Sequence, residues 1–311
     1  MWIDILIFVA ALAVLLLASN FFTDAATAIG RYMHLPPFVV GIFIVGIGTS
    51  LPELVSGILS VLHENSEILA GNVIGANISN LLLVTGFAVV INRQKIDLGK
   101  TYIFTDLNFL IGSFFYFALI AYDGQIELLE ALMGIVIFLI YSFHLLKDNN
   151  PMIGEETAAE GDTRKFPVKS LFILIAGAVG LYFGADFTIS SLSNIAVALN
   201  VPSSIIALTL LSLGTTLPEL SVNISAIRKG ESTMAIGNVL GSCISNTLLI
   251  PSIAAFFGTI TVPQNLLSFS LPVMLGSGAM FYLLTQDKKI SVAEGYLFFG
   301  LYVLFLIKII F

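Results

Sequence analysis

The sequence has 311 residues, of which 57% are hydrophobic and 11% are charged, and its mean hydropathy is +1.00. Soluble domains average about 25% charged residues, so this composition excludes a single soluble domain and predicts an integral membrane protein. The formal net charge is −7, and the single cysteine, Cys243, excludes an intramolecular disulfide and a cysteine-based zinc site.

Ten apolar segments follow one another along the chain. A spanning helix needs about 20 mostly apolar residues, and on that criterion we expect spans at 3–22, 37–62, 68–91, 103–122, 127–147, 168–190, 200–227, 234–258, 265–285 and 290–310. The first segment has no Lys or Arg ahead of its apolar run and carries Asp4, which is atypical of a signal peptide. We therefore predict that it is retained as a spanning helix.

The basic residues predict how these spans are oriented, because loops rich in Lys and Arg stay in the cytoplasm. Lys308 is the one basic residue on the opposite side. The other twelve follow spans one, three, five, seven and nine, and they are Arg31, Arg93, Lys95, Lys100, Lys147, Arg164, Lys165, Lys169, Arg228, Lys229, Lys288 and Lys289. This distribution predicts a multi-pass protein of the cell membrane with both termini extracellular.

One long polar connection divides the chain after the fifth span. We expect a first repeat at 1–147, a cytoplasmic linker at 148–167 and a second repeat at 168–311. Each repeat contains five spans, an odd number, so the second enters the membrane from the opposite side. The prediction is an all-α membrane protein of ten transmembrane helices, arranged as two inverted five-helix repeats, as in secondary transporters.

The repeat is visible in the sequence itself. Residues 46–80 align without a gap on residues 212–246, at a constant offset of 166, and 15 of the 35 positions are identical. The two segments begin with "GTSLPE" at Gly48 and "GTTLPE" at Gly214, and they end with "GNVIGANISN" and "GNVLGSCISN". We refer to 46–80 and 212–246 as the first and second motif.

Each motif places a proline and a glutamate in the middle of a span. Pro52 and Pro218 remove a backbone donor, which predicts interrupted helices two and seven, although a simple kink is the alternative. No Lys or Arg lies in the central part of any span to pair with Glu53 and Glu219. Because an ionised carboxylate at that depth costs about 3 kcal/mol or more, we expect bound cations to compensate the pair.

The neutral residues of the motifs are oxygen donors or small. Carboxylates, hydroxyls and carbonyls suit Ca²⁺ and Na⁺, whereas soft metals would require Cys or His. Asn72 and Asn238 either contribute oxygens or only tie helices together by hydrogen bonds. The spacing of Gly71 with Gly75, and of Gly237 with Gly241, predicts close helix packing.

Together, "GTSLPE…GNVIGANISN" and "GTTLPE…GNVLGSCISN" resemble the two α-repeats of the calcium/cation antiporter superfamily, most closely those of prokaryotic sodium/calcium exchangers. The resemblance covers the whole chain. It implies that spans two, three, seven and eight form the ion-binding core, against which spans one and six slide. The matching ligand positions are Glu53, Glu219, Thr49, Ser50, Thr215, Thr216, Gly46, Ser212, Asn80, Ser242 and Asn246.

Two positions depart from the family pattern. Ala76 stands where the family often has serine, which removes one hydroxyl from a sodium position. Asn246 stands where some members, including potassium-dependent ones, have aspartate, which argues against K⁺ co-transport. The number of Na⁺ ions per cycle is left open by these two changes.

The resulting functional prediction is a secondary antiporter that exchanges Ca²⁺ for Na⁺ by alternating access. A proton/calcium exchanger of the same superfamily is the alternative, and a cation channel is another class. No nucleophile–histidine arrangement accompanies the motifs, so we predict that the protein is not an enzyme and has no cofactor. We expect the lipid bilayer and the two ions as partners, with no nucleic acid and no obligate protein partner.

Overall fold

The structure, a computed structural model, describes residues 2–93, 95–98, 106–148, 167–198 and 203–310, without the side chains of 203–215 and of a few residues near helix ends. Most of the predicted linker, residues 149–166, lies outside the described residues. The described chain is mostly helical, and short two-residue strands occur only in its connections.

Ten helices of the described chain fall on the ten predicted segments. They are α1 (Trp2–Tyr32), α2 (Pro37–Leu62), α3 (Glu67–Asn92), α4 (Asp106–Ile120), α5 (Leu128–Asp148), α6 (Val168–Ala198), α7 (Ser203–Arg228), α8 (Ser232–Ala254), α9 (Leu266–Leu284) and α10 (Val292–Ile310). Eight of these are long and apolar enough to cross a membrane, counted over the described residues; α4 is shorter, and α7 is not among the eight. The chain is therefore a multi-pass membrane protein, and ten crossings stay a prediction.

Helices α1 and α6 are longer than their predicted spans. Each has 31 residues, or about 46 Å at 1.5 Å per residue, so each extends beyond a hydrocarbon core of about 30 Å. The extension of α1 contains two threonines. Thr23 and Thr27 satisfy their hydroxyl groups within the helix by donating to the backbone carbonyls four residues earlier, at 2.7 and 2.9 Å. The two helices pack closely along one another, with Gly180 and Gly184 of α6 against Ala18 and Leu15 of α1.

Helix α2 is interrupted within the first motif, as predicted. A π-helical stretch covers Gly41–Gly46, and Ser50 leaves helical geometry at φ −85° and ψ 3°. The helix resumes at Leu51, so that Pro52 lies in a first turn, where the missing backbone donor is tolerated.

The predicted interruption of α7 is wrong. The helix is continuous from Ser203 to Arg228, with Pro218 inside it. Proline suits a helical φ, so the loss of one hydrogen bond to the Gly214 carbonyl does not force the backbone out of the helix. Glycines at 41 and 46 loosen α2, whereas α7 has Ala207 and Ser212 at the matching positions.

Helices α3 and α8 share a local irregularity. Each changes from α to π geometry at the end of its motif, over Ser79–Val84 in α3 and Ser245–Leu249 in α8. Ser79 and Ser245 are matched by the 166-residue offset. Such π-bulges in α-helices are frequent at functional sites.

Two short antiparallel ribbons join the connections. The strand Ile96–Asp97 after α3 pairs with Lys289–Ile290 before α10, and Gln125–Ile126 before α5 pairs with Ile260–Thr261 after α8. In the ten-span prediction each ribbon joins two connections on the same side of the membrane, and the two ribbons lie on opposite sides.

Burial separates inner from outer helices. Each of the eight apolar helices contains an apolar stretch of 18 residues. The buried share of that stretch is 89% in α8, 78% in α3 and 56% in α2, compared with 22–28% in α1, α5, α6, α9 and α10. The outer helices expose large apolar side chains such as Leu129 and Phe143, which suit contact with lipid tails. Helices α3 and α8 are therefore inner helices, and α2 buries one face that includes Thr49, Ser50 and Glu53.

Candidate cation-binding site

Two buried glutamates lie at the centre of the inner helices. Glu53 belongs to the first turn after the interruption of α2, and Glu219 follows Pro218 on α7; their side chains are 2% and 1% exposed. They are close enough for their charges to repel each other. None of their four carboxylate oxygens has a hydrogen-bond partner among the described residues.

Helix α2 supplies hydroxyl and carbonyl oxygens beside these acids. Thr49 and Ser50 are buried, and the Thr49 hydroxyl lies 3.3 Å from the Gly46 carbonyl and 3.5 Å from the Ser242 hydroxyl of α8. Ser242 also reaches the Gly46 carbonyl, at 3.3 Å. The interruption of α2 thus faces α8 with three oxygens close together.

Glycine makes this approach of α2 and α8 close. A Cβ atom on Gly46 would lie 3.0 Å from the backbone nitrogen of Ser242, and one on Gly241 would lie 2.5 Å from the Ile42 carbonyl. Gly41 and Gly237 meet backbone atoms of the facing helix in the same way. The packing predicted for Gly237 and Gly241 is confirmed. For Gly71 and Gly75 it stays a prediction, because the side chains of 203–215 on α7 are outside the described residues.

Asn80 of α3 and Asn246 of α8 complete the set. Each is 1% exposed, and neither the amide nitrogen nor the amide oxygen has a hydrogen-bond partner in the described chain. The four inner helices α2, α3, α7 and α8 each contribute one buried residue whose polar side-chain atoms have no hydrogen-bond partner in the part of the chain that the structure describes. A buried polar group without a partner costs about 1–3 kcal/mol, so four of them together indicate a site for a polar ligand.

The remaining predicted positions differ in how far the structure describes them. Thr216 is buried on α7, one turn before Glu219. Ser212 and Thr215 lie on the same helix, but their side chains are outside the described residues. Ala76 is buried on α3 and adds no hydroxyl at the position that Ser242 occupies on α8.

The donor set is dominated by oxygen. Among the described residues, no three His, Cys, Asp or Glu side chains gather as a transition-metal site would require. Two carboxylates with neutral hydroxyl, carbonyl and amide oxygens fit a hard cation that accepts variable coordination.

Comparison with known families assigns the chain. The model of the family described as Sodium/calcium exchanger protein matches residues 3–147 and 169–311. The match covers both halves of the chain and includes every candidate site residue described above. The chain belongs to this family.

Known proteins are similar to the chain over nearly its full length. The sodium/calcium exchanger MaX1 of Methanosarcina acetivorans is 27% identical over 98% of both chains, and a Methanocaldococcus jannaschii membrane protein, MJ0091, is 29% identical over 96% of this chain and 95% of its own. A solved structure of the sodium-calcium exchanger NCX_Mj superposes with a TM-score of 0.83 at 27% identity, covering 97% of both chains.

One of the two predicted roles of Asn238, to tie helices together, is observed, whereas a polar contact between α4 and α5 of this sodium/calcium exchanger family member was not predicted. Asn238 donates its amide to the Asn223 side chain at 2.6 Å and accepts from Thr49 at 3.2 Å, so it ties α8 to α7 and α2. Tyr141 of α5 donates to Asp106 of α4 at 2.8 Å, both fully buried. The sequence signal for each was a lone polar residue in an apolar segment, which does not indicate its partner.

Proposed function

We propose that the protein is a secondary antiporter that exchanges Ca²⁺ for Na⁺ across the membrane. The observation that carries the proposal is the pair Glu53 and Glu219, buried together without hydrogen-bond partners among the described residues. Family membership supports the choice of ions. MaX1 and NCX_Mj are both named as sodium/calcium exchangers.

The glutamate pair explains why the two ions would compete. One Ca²⁺ or several Na⁺ can neutralise the two carboxylates, but the two loads cannot occupy the same oxygens at once. Neutral ligands complete either coordination shell, and we assign them to Thr49, Ser50, Thr215, Thr216, Gly46, Ser212, Asn80, Ser242 and Asn246. If the site changes the side of the membrane to which it is open only when the pair is neutralised, export of one ion requires import of the other.

We propose alternating access by movement of α1 and α6 against the inner helices. The close packing of α6 glycines on α1 supports their movement as a unit. Two inverted repeats, 1–147 and 168–311, are supported by the 166-residue offset, by the matched π-helical stretches and by the two ribbons. We place the linker 148–167 in the cytoplasm and both termini outside, as the basic residues predict.

The test is ⁴⁵Ca²⁺ uptake into proteoliposomes under an imposed Na⁺, H⁺ or K⁺ gradient. We expect uptake driven by outward Na⁺ gradients in the wild type and its loss in Glu53→Gln and in Glu219→Gln. Asp106→Asn is the matched control, because it neutralises another buried carboxylate on α4 and should retain exchange.

Each other outcome has a defined meaning. Uptake driven only by a pH gradient would establish the proton/calcium alternative, and uptake without any counter-ion gradient would establish a channel. Unchanged exchange in both glutamate variants would overturn the proposed site.

A further inference from the structure

The two halves of the site differ at one buried amide. Asn223 lies one helical turn after Glu219 on α7 and is 1% exposed, whereas the matched position in the first repeat is Gly57. Asn223 lies within the second motif at a position where the two motifs differ, and it is not among the ligands assigned above. We propose that Asn223 is a positioning residue that orients the Thr49 hydroxyl for cation binding, an inference that rests on the proposed function.

The first step is the orientation of Asn238. An asparagine side chain has a donor end and an acceptor end. The Asn238 amide nitrogen donates a hydrogen bond to the Asn223 side-chain carbonyl oxygen, at 2.6 Å. The Asn238 oxygen therefore points the other way, toward α2.

The second step is the proton of Thr49. A cation ligand must present its oxygen lone pairs to the ion, so its single proton needs an acceptor elsewhere. The Gly46 carbonyl lies 3.3 Å away, but it is itself assigned as a ligand. The Asn238 oxygen, 3.2 Å from the hydroxyl, is the acceptor that stays available when the ion is bound.

Without the Asn223 oxygen, the Asn238 amide nitrogen loses the acceptor that determines which way the amide points. Asn238 is fully buried, so its amide nitrogen would need another acceptor, and an amide rotated by half a turn would direct that nitrogen at the Thr49 hydroxyl of α2. Thr49 would then accept a hydrogen bond through the lone pair that the cation uses. The expected consequence is weaker cation binding rather than an unfolded protein.

The first repeat supports this role by contrast. Asn72, the counterpart of Asn238, is only half-buried, and no hydrogen bond of its side chain occurs within the described residues. The residue matched to Asn223 in the first repeat is Gly57, which has no side chain to bond an amide. In the half of the site built around Thr49, the asparagine Asn238 therefore has an amide partner, whereas the matched position in the other half is a glycine.

Ca²⁺ binding in detergent, read as thermal stabilisation at increasing Ca²⁺ concentration, tests the proposal independently of transport. Asn223→Leu keeps the number and branching of the side-chain heavy atoms but removes the acceptor. We expect an apparent Kd for Ca²⁺ raised about 2- to 10-fold, the range that one hydrogen bond supplies. Ser221→Ala, which removes a buried hydroxyl that donates to the Pro218 carbonyl on the same helix, should leave the Kd unchanged.

A second background separates positioning from packing. Thr49→Val has no hydroxyl to orient, so Asn223→Leu should add no further loss of affinity to it; Ca²⁺ up to tens of millimolar keeps weak binding measurable. A merely structural Asn223 would lower the unfolding temperature equally in both backgrounds without a change in Kd. An unchanged Kd in Asn223→Leu, or an equal loss in the Thr49→Val background, would overturn the proposal.

The same variants distinguish this inference from the proposed function. In proteoliposomes, Asn223→Leu should raise the KM for Ca²⁺ by the same factor and change kcat less. If the wild type shows no Na⁺-driven uptake, the proposed function fails. If the wild type exchanges ions and the variant matches it in KM and Kd, the role of Asn223 fails alone.

Discussion

Glu53 and Glu219 dominate the chemistry of the protein because they are ionisable, buried and without hydrogen-bond partners among the described residues. The sequence predicted that both acids need compensation, since no basic residue lies mid-span. It did not predict the hydrogen-bond network around them, because Asn223 and Asn238 are 15 residues apart on different helices. Pairing between helices depends on how they pack, and a single sequence does not specify that.

The acids predict a stability effect that is independent of transport. In a buffer free of Na⁺ and Ca²⁺, Glu53→Gln and Glu219→Gln should unfold at a higher temperature than the wild type, because each variant removes a buried charge. An isolated charge at that depth costs about 3 kcal/mol on insertion scales. Added Ca²⁺ should raise the unfolding temperature of the wild type but not of the variants, because only the wild type binds it.

The measurement is differential scanning fluorimetry in detergent, with Asp106→Asn as the control for a buried carboxylate outside the site. The interpretation of the glutamates as a cation site would be contradicted if both variants were destabilised in ion-free buffer and still responded to Ca²⁺.

At the scale of the helices, the sequence predicted an interruption at both matched prolines, but only one of the two helices is interrupted. Both motifs contain the same Leu-Pro-Glu, yet α2 is interrupted and α7 is continuous. The difference follows from flanking residues, since Gly41 and Gly46 allow α2 to leave regular geometry where α7 has Ala207 and Ser212. The ten helical segments themselves were predictable because each combines length with apolar composition, which is a local property.

The contact of α2 with α8 gives a prediction at this scale. Gly241→Ala would place a Cβ atom 2.5 Å from the Ile42 carbonyl, so the two helices must separate. We expect a loss of about 1–3 kcal/mol of stability from overpacking, together with weaker Ca²⁺ binding, because Thr49, Ser242 and Gly46 would move apart.

Gly276→Ala on α9 is the matched control, since nothing among the described residues lies within 4 Å of its added Cβ. Unfolding temperature and Ca²⁺ affinity should be measured for both variants. An equal response of the two would show that the close approach of α2 and α8 is not required.

At the scale of the whole molecule, one end of α1 is tied to the inner helices. The Lys229 ammonium lies 2.8 Å from the Asp24 carboxylate and donates to the Asn20 carbonyl at 2.6 Å, while Ser225 donates to the Asn20 side chain at 2.8 Å. These contacts join α1 to the end of α7 on the side that the basic residues mark as cytoplasmic. If α1 moves during transport, they must break in each cycle.

Replacing Lys229 with Met should therefore alter the rate of exchange more than the affinity for ions. The pair is partly exposed, at 27% for Lys229 and 68% for Asp24, so it contributes about 0.2–1 kcal/mol, or up to about a fivefold shift between conformations. We expect kcat to change within that range, with the KM for Ca²⁺ nearly constant.

Arg31→Gln is the control, because Arg31 lies 3.9 Å from Glu231, and its side chain is 78% exposed. Its kcat should remain near the wild-type value. A large change in KM with constant kcat in Lys229→Met would assign the lysine to ion binding rather than to movement of α1.

The sequence alone determined the membrane class, the helical segments, the duplicated motif and the two glutamates, because hydrophobicity and charge act residue by residue and repeats are visible as identities. Only the tertiary structure decided which helix is interrupted, which helices are buried, and that Asn238 turns its oxygen toward Thr49. Those features arise where helices distant in sequence come into contact, and the geometry of that contact depends on backbone approach and hydrogen-bond direction, which no single position specifies.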